Sequence, residues 1–334
     1  MNGEALKKLV SICTPVYNEA DCIEELVLRL QRMMDALVTR YDFEVIACEN
    51  GSGDESYRML LKVCEQDPRF RIVRLSRNFG TEGGATAALA HARGDAAVIM
   101  NSDLQDPVEY IPEMLGRWEE GYQNVYAIVS QRPGESTFRR ICAQGYYALI
   151  RALSGNAMPA HVSDFRLVDR AVYETYLRMP ERYRMMRSMW AWLGFRSLGI
   201  ETERPARGGG KSTFRFFAMF HSGLRSILAQ TRAPLIIIPL FGVGLPILSF
   251  VLLAYEIVRA WFYGVPFGGF GTIMAVMLLL FGLLFVFLWM ISEYVGLIFE
   301  EVRHRPMYIV SETTGFGAAQ IPEIATREGK TKAE

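Results

Sequence analysis

The sequence carries no surplus of either charge sign: lysine plus arginine and aspartate plus glutamate each number 36 in 334 residues. That balance excludes a global field for nucleic acid or an acidic partner, and no nucleic-acid partner is expected. Cysteine is sparse. Cys13, Cys22, Cys48, Cys64 and Cys142 form no C-x-x-C pair and no regular framework, which predicts buried free thiols in a reducing compartment. The four histidines (His91, His161, His221, His304) lack zinc-ligand spacing, so structural roles are expected for all of them. No leader is expected either. Lys7 and Lys8 precede a short apolar run, but Pro15 and Asn18 break it too early for a signal peptide, so the polar part of the chain is expected in the cytoplasm.

What the chain has instead is hydrophobic residues, 51% of the total and unevenly spread. Up to Arg232 the composition is that of a globular domain; beyond it two long apolar runs dominate. Leu9 to Cys13 reads as a first strand, followed by the loop Pro15-Val16-Tyr17-Asn18-Glu19. Asp21 can cap a helix to Leu37, with Ile23, Leu26, Leu30 and Met33 at helical spacing. Phe43 to Cys48 is a second strand ending on Glu49-Asn50-Gly51-Ser52-Gly53-Asp54; a helix from Ser56 to Cys64 and a third strand, Phe70 to Leu75, follow. Glu82 to Ala92, rich in alanine and glycine, predicts a helix suited to close packing on a sheet, and Ala96 to Met100 a fourth strand. Strands alternating with helices indicate an α/β fold, a mostly parallel sheet covered on both faces. Further on, a strand is expected over Val125 to Ser130, a helix over Arg139 to Leu153, a short extended piece at Asp164-Phe165-Arg166-Leu167 and a helix over Arg184 to Leu193.

From Phe214 to Gln230 the apolar residues Phe217, Phe220, Leu224, Ile227 and Leu228 recur at helical spacing, with Arg215, His221, Ser222 and Arg225 elsewhere on the wheel. This predicts an amphipathic helix in a membrane interface; a packed core helix is the alternative. Leu235 to Ile257 and Ile273 to Ile298 are each long enough to cross a hydrocarbon core, which needs roughly 20 residues. Trp261, Phe262 and Tyr263 lie between them as interface aromatics. Arg225, Arg232, Arg303 and Arg305 flank the pair, while the connecting loop has little beyond Arg259, so both ends are expected on the cytoplasmic side of a multi-pass membrane protein. The expected organisation is a soluble domain over 1–213, a juxtamembrane helix over 214–232, two spans over 233–300 and a cytoplasmic tail over 301–334. Past Glu312 the tail is polar and expected to be poorly ordered.

The most informative stretch runs from Ser76-Arg77-Asn78-Phe79-Gly80 to Asn101-Ser102-Asp103-Leu104-Gln105-Asp106-Pro107. A strand ending on carboxylates and amides places oxygen ligands at the carboxyl edge of a sheet, where ligands bind in open α/β folds. Hard cations such as Mg2+ or Mn2+ take such oxygens and share them with substrate phosphates. The pattern therefore points to a nucleotide-diphosphate site.

Taken with the loop at Pro15 and the turn at Glu49, this stretch and Asp164-Phe165-Arg166-Leu167 resemble the family 2 glycosyltransferases that load a sugar onto a polyprenyl phosphate. The dolichol-phosphate mannose synthases and bacterial undecaprenyl-phosphate glucosyltransferases are of this type. The resemblance spans nearly the whole chain and implies a GT-A domain, a two-helix transmembrane hairpin, a bacterial inner-membrane location and a homo-oligomer through the membrane helices. It implies that Pro15, Tyr17, Glu19, Ala47, Glu49, Asn101, Ser102, Asp103, Gln105 and Arg132 bind a UDP- or GDP-linked sugar. Asp103, with Gln105 and Asn101, would hold Mg2+ or Mn2+; Asp164 matches the proposed general base. Its other reading is a salt bridge to Arg166. Arg184, Arg204, Arg207, Lys211 and Ser212 would hold the acceptor phosphate, and a solvated linker competes with that for the basic loop. Arg187 shares the arginine-rich segment of Arg184, for which salt bridges are an equal alternative. Two departures stand out: Asn101 and Glu49 each replace a usual aspartate. The expected activity is inverting sugar transfer to a polyprenyl phosphate. A processive polysaccharide synthase is the first rival, disfavoured by the missing Q-x-x-R-W segment between Arg182 and Trp192; a degenerate membrane scaffold is the second.

Overall fold

The structure, a computed structural model, describes residues 7–129, 162–181, 184, 186–203 and 270–317, with single positions at 247, 251, 255, 258 and 261–263. Four parallel strands make the centre of its sheet: β1 (Lys8–Val16), β2 (Tyr41–Glu49), β3 (Phe70–Leu75) and β4 (Ala96–Ile99). Their apolar residues run continuously because helices cover both faces of the sheet. Every residue of β4 is buried.

The connecting helices are α1 (Ala20–Leu37), α2 (Ser56–Gln66) and α3 (Gly80–Ala90). From β1 the chain steps outward to β2 and β3, then returns to lay β4 against the other side of β1. Such a reversal opens a crevice at the carboxyl ends of the two strands flanking it. Helix α3 makes the return and is buried from Gly83 through Leu89, so its small side chains let it lie close to the sheet.

Beyond β4 the sheet changes direction. β6 (Val162–Asp169) pairs antiparallel with β4, and β5 (Asn124–Val129) antiparallel with β6; β7 (Ser197–Thr202) runs parallel to β5 at the far edge. One face is packed by α1 and α4 (Ile111–Glu119), which bring Leu26, Leu30, Met34, Met114 and Leu115 against Val10, Ile12 and Val98. The other face takes α3, α5 (Arg170–Arg178) and α6 (Met186–Trp192) over Cys13, Ile46 and Val73. Each large apolar side chain so buried contributes about 1.5–3 kcal/mol. Cys13, Cys22 and Cys48 are buried free thiols, and Cys64 is a half-buried one; Cys142 lies outside the described residues.

The first residues of the tail depart from expectation, and residues 318–334 lie outside the described residues. Instead of fraying past Glu312, β8 (Val310–Thr314) pairs antiparallel with β3 and closes the sheet's other edge. Phe316 then packs 5.5 Å from the His91 ring and 5.4 Å from the Arg71 guanidinium. The bare edge of β3 needed a partner, and a short polar strand serves an edge well.

The chain divides into two compact units. One is Met1–Arg151, Asn156–Thr213 and Pro306–Glu334; the other is Ala152–Gly155 with Phe214–Arg305. In the second, α7 (Phe270–Val302) contains Leu280–Val302, the one described helix long and apolar enough to cross a membrane, and none of that stretch is buried. Of the first expected span only Ile247, Val251 and Tyr255 are described, all helical and exposed. The expected helices over Phe214 to Gln230 and Arg139 to Leu153 lie outside the described residues.

At the edge away from the crevice, Glu44 of β2 is buried and gathers its partners from two neighbouring strands and a turn. Its oxygens accept from Ser11 Oγ at 2.6 Å, Arg71 Nη1 at 2.8 Å, the Arg93 amide at 2.8 Å and Arg93 Nη2 at 2.8 Å. Removing one member of such a set leaves the others' charge uncompensated. Glu44→Gln is therefore expected to destabilise the unit that holds the sheet by about 2–4 kcal/mol, read as a lowered unfolding midpoint. An unchanged midpoint would contradict it.

Candidate active site

The carboxyl ends of β1, β2, β3 and β4 share one edge, so the loops leaving them converge. Two glycines permit the close approach. At Gly51 (φ 73°) a Cβ would stand 2.8 Å from the Arg77 carbonyl carbon, and at Gly84 one would stand 2.9 Å from Pro15 Cβ. The loops bond to one another. Ser102 Oγ donates to the Pro15 carbonyl at 2.9 Å, and the Gly53 amide donates to Asn18 Oδ1 at 2.8 Å. Asn18 sits at φ 53°, a left-handed conformation asparagine tolerates better than most residues. Its own amide donates to Ser52 Oγ at 3.1 Å, and the Glu19 amide donates to Ser56 Oγ at 3.0 Å. Tyr17 is left 44% exposed at the mouth of this junction.

Asn50 is the residue the sequence did not single out. It is buried, its Nδ2 donates to the Gly80 carbonyl at 2.9 Å, and its Oδ1 accepts from the Phe79 amide at 2.9 Å. It thereby holds the loop after β3 against the turn after β2. An asparagine among glycines and serines reads as a turn former, and nothing local distinguishes this clamp. Glu49 beside it is fully buried. One oxygen accepts from the Ser52 amide, and the other from Arg74 Nε at 3.1 Å. Ala47, near the end of β2, is buried among Val16, Ile23, Leu60 and Ile72.

The loop after β4 carries the expected oxygen ligands in a defined shape. Leu104 has φ 62°, and Asp103 Oδ1 accepts from the Gln105 amide at 3.1 Å. Asp106 is buried and turns its Oδ2 back to accept from the Asn101 amide at 2.9 Å and from Asn101 Nδ2 at 2.8 Å. Asn101 thus donates where an aspartate would set one carboxylate against another, and Asp106 closes the loop.

Asp164 reaches the same edge from the opposite chain direction. Because β6 is antiparallel to β4, with Ile99 opposite Arg166, the start of β6 lies beyond the end of β4. Arg166 Nε donates to the Asp164 main-chain carbonyl at 3.3 Å, while the Asp164 carboxylate pairs with Arg187. Arg187 on α6 donates from Nε to Asp164 Oδ1 at 2.7 Å and from Nη2 to Oδ2 at 2.5 Å, a bidentate pair. Arg166 is buried, with Nη2 donating to the Ser163 carbonyl at 3.0 Å, and burial pulls its guanidinium down to about 10. Arg184 is also buried. It donates to the carbonyls of Glu181 (2.9 Å) and Met179 (2.6 Å), lies 4.9 Å from the Tyr176 ring, and leaves Nη1 without a partner. Arg132, Arg204, Arg207, Lys211 and Ser212 lie outside the described residues.

The described residues contain no cluster of three histidine, cysteine, aspartate or glutamate side chains able to enclose a metal. What they offer is one carboxylate, Asp103, flanked by the amide oxygens of Asn101 and Gln105. That donor set fits Mg2+ or Mn2+, which binds through one or two carboxylates and takes its remaining oxygens from water and substrate phosphates.

Comparison with known proteins accords with this arrangement. Residues 11–177 match the family model described as glycosyl transferase family 2. An uncharacterized glycosyltransferase of Synechocystis sp. is 33% identical over 92% of this chain and 96% of its own length. A bactoprenol glucosyl transferase of Shigella phage SfV is 30% identical over 90% of this chain and 97% of its own. Among solved structures, glucosyl-3-phosphoglycerate synthase from Mycobacterium tuberculosis in complex with Mg2+ and uridine diphosphate gives a TM-score of 0.48 at 17% identity, covering 67% of this chain and 79% of that one. The strand order, the converging loops and the match over these residues agree: this chain, with its GT-A-like α/β domain, belongs to glycosyl transferase family 2.

Proposed function

We propose that the chain transfers a sugar from a UDP- or GDP-linked donor to a membrane polyprenyl phosphate, inverting the anomeric carbon. The observation that carries this is the meeting of Asp103 and Asp164 at one sheet edge, one from a parallel strand's end and one from an antiparallel strand's start. The similarity to a bactoprenol glucosyl transferase along nearly the whole chain supports the acceptor class.

In this proposal the loops at Tyr17, Glu49 and Asn50 cradle the nucleoside, and the loop from Asn101 to Asp106 lies against the diphosphate. A divalent cation bound at Asp103, with the amide oxygens of Gln105 and Asn101, would neutralise charge developing on the departing nucleoside diphosphate. Arg184 and Arg187 would lend positive charge to the acceptor side, and Arg132 with the basic loop at Arg204, Arg207, Lys211 and Ser212 would add to it. The acceptor oxygen is already largely ionised at neutral pH, a phosphate monoester losing its second proton at about pH 6. Asp164, spanned by Arg187, serves to fix that arginine rather than to take a proton. Helix α7 with a second span over Leu235 to Ile257 would form a transmembrane hairpin, with oligomers forming through the spans.

Two measurements test this. Asp103→Ala is expected to lower transfer about 100–1000-fold without changing the melting temperature, and chelation should abolish the wild-type rate; the product is followed as the lipid-phosphate sugar by mass spectrometry. Undiminished turnover would remove Asp103 from the site. For Asp164→Asn, kcat/KM should drop about 10–100-fold through misplacement of Arg187, while the fall in rate below about pH 6 persists because it belongs to the acceptor phosphate. Loss of that acidic limb in the variant would instead make Asp164 the base.

A further inference from the structure

A row of register partners crosses the sheet at the crevice edge: Val16 beside Glu49, Glu49 beside Arg74, and Arg74 beside Glu312. Side chains in register on neighbouring strands stand on the same face and interact. Here acid, base and acid alternate over β2, β3 and β8. Arg74 Nε donates to Glu49 Oε2 at 3.1 Å, and Arg74 Nη1 lies 3.8 Å from Glu312 Oε2. The same Glu312 oxygen accepts from the Tyr57 hydroxyl at 2.8 Å, and the Tyr57 ring lies 3.9 Å from the Arg74 guanidinium. The arginine is thus held by a carboxylate on each side and an aromatic ring.

Glu49 depends on it. A carboxylate with no exposed surface needs a counter-charge and filled lone pairs. Arg74 supplies the charge, and the Ser52 amide takes the other oxygen. Ser52 Oγ in turn accepts from Asn18, and Gly53 donates back to Asn18, beside exposed Tyr17. The pairing slips between Arg74 and Leu75, where Ser311 is the extra residue and donates to the Arg74 carbonyl at 3.1 Å. Bulges of this sort re-aim side chains beside functional sites.

We infer that Arg74 is a positioning residue for the nucleoside end of the donor crevice, and that Glu312 and Tyr57 hold it in place. Resting on the donor assignment above, this makes donor affinity depend on β8, although no β8 residue belongs to the converging loops. It also gives the polar strand that follows the membrane-length helix in sequence a part in substrate binding.

The test uses the full chain. Glu312→Gln and Tyr57→Phe are each expected to raise the donor KM, and the Kd of UDP or GDP with Mn2+, about 3–10-fold, the net worth of one ordinary hydrogen bond. Arg74→Lys should raise them at least as much, because an ammonium lacks the fork that spans both carboxylates. kcat, acceptor KM and melting temperature should stay as in wild type, and Glu312→Asp should restore part of the affinity. Without nucleotide, Glu312→Gln should speed hydrogen exchange of the amides from 50 to 54. Wild-type exchange and wild-type donor KM in Glu312→Gln would overturn the inference, as would a loss confined to kcat. If the wild-type protein binds neither nucleotide with Mn2+, the donor assignment fails by itself, and the exchange measurement still decides the link from Glu312 to the turn.

Discussion

Everything at the crevice follows from parallel pairing of β1 with both β2 and β4. Strands that run the same way end together, and the loops leaving them crowd into one place with backbone groups the sheet no longer satisfies. The chain meets that demand by bonding loop to loop. Ser102 reaches Pro15, Asn50 reaches Phe79 and Gly80, and Asn18 exchanges bonds with Ser52 and Gly53. A rigid frame at the nucleoside end results, built before any ligand arrives, and preorganisation of that sort lowers the ordering cost of binding.

Charge within the frame is distributed by the same logic. Glu49 is matched by Arg74, Asp164 by Arg187, and Asp106 by the two donors of Asn101. Asp54 joins them: burial would lift its carboxyl, yet hydrogen bonds from Ser56 and the Ala20 amide hold it below the usual carboxylate range. Acids concentrated at one sheet edge would repel one another unless each had its own donors. The substitution at Asn101 belongs to this economy, since an amide both relieves Asp106 and keeps an oxygen for a cation.

Much of this was legible in the sequence. The four parallel strands announce themselves as apolar runs, and the residues at their ends are those the crevice uses. Boundaries moved by a few residues: β1 extends through Pro15 and β2 through Glu49, because neighbouring strands supply pairing that local pattern does not show. The two edges of the sheet were harder. β7 and β8 are short and polar, α4 and α5 lie between motifs, and only the sheet's need for partners reveals them. Arg166 looked like the natural partner of Asp164 from its place two residues away. In the fold its guanidinium turns to main-chain carbonyls, and Arg187 arrives from a helix whose position only tertiary packing determines.

The pairing of β3 with β8 has a consequence for biogenesis. The ribosome delivers β3 early, but its outer neighbour emerges only after the long apolar helix has been made. Until then the nascent domain carries a raw flank of unpaired amides and carbonyls, the kind of surface that recruits chaperones or sticks to other chains. Completion of the sheet is thereby deferred until the long apolar helix has been made, so a polypeptide truncated before that helix leaves its sheet unfinished.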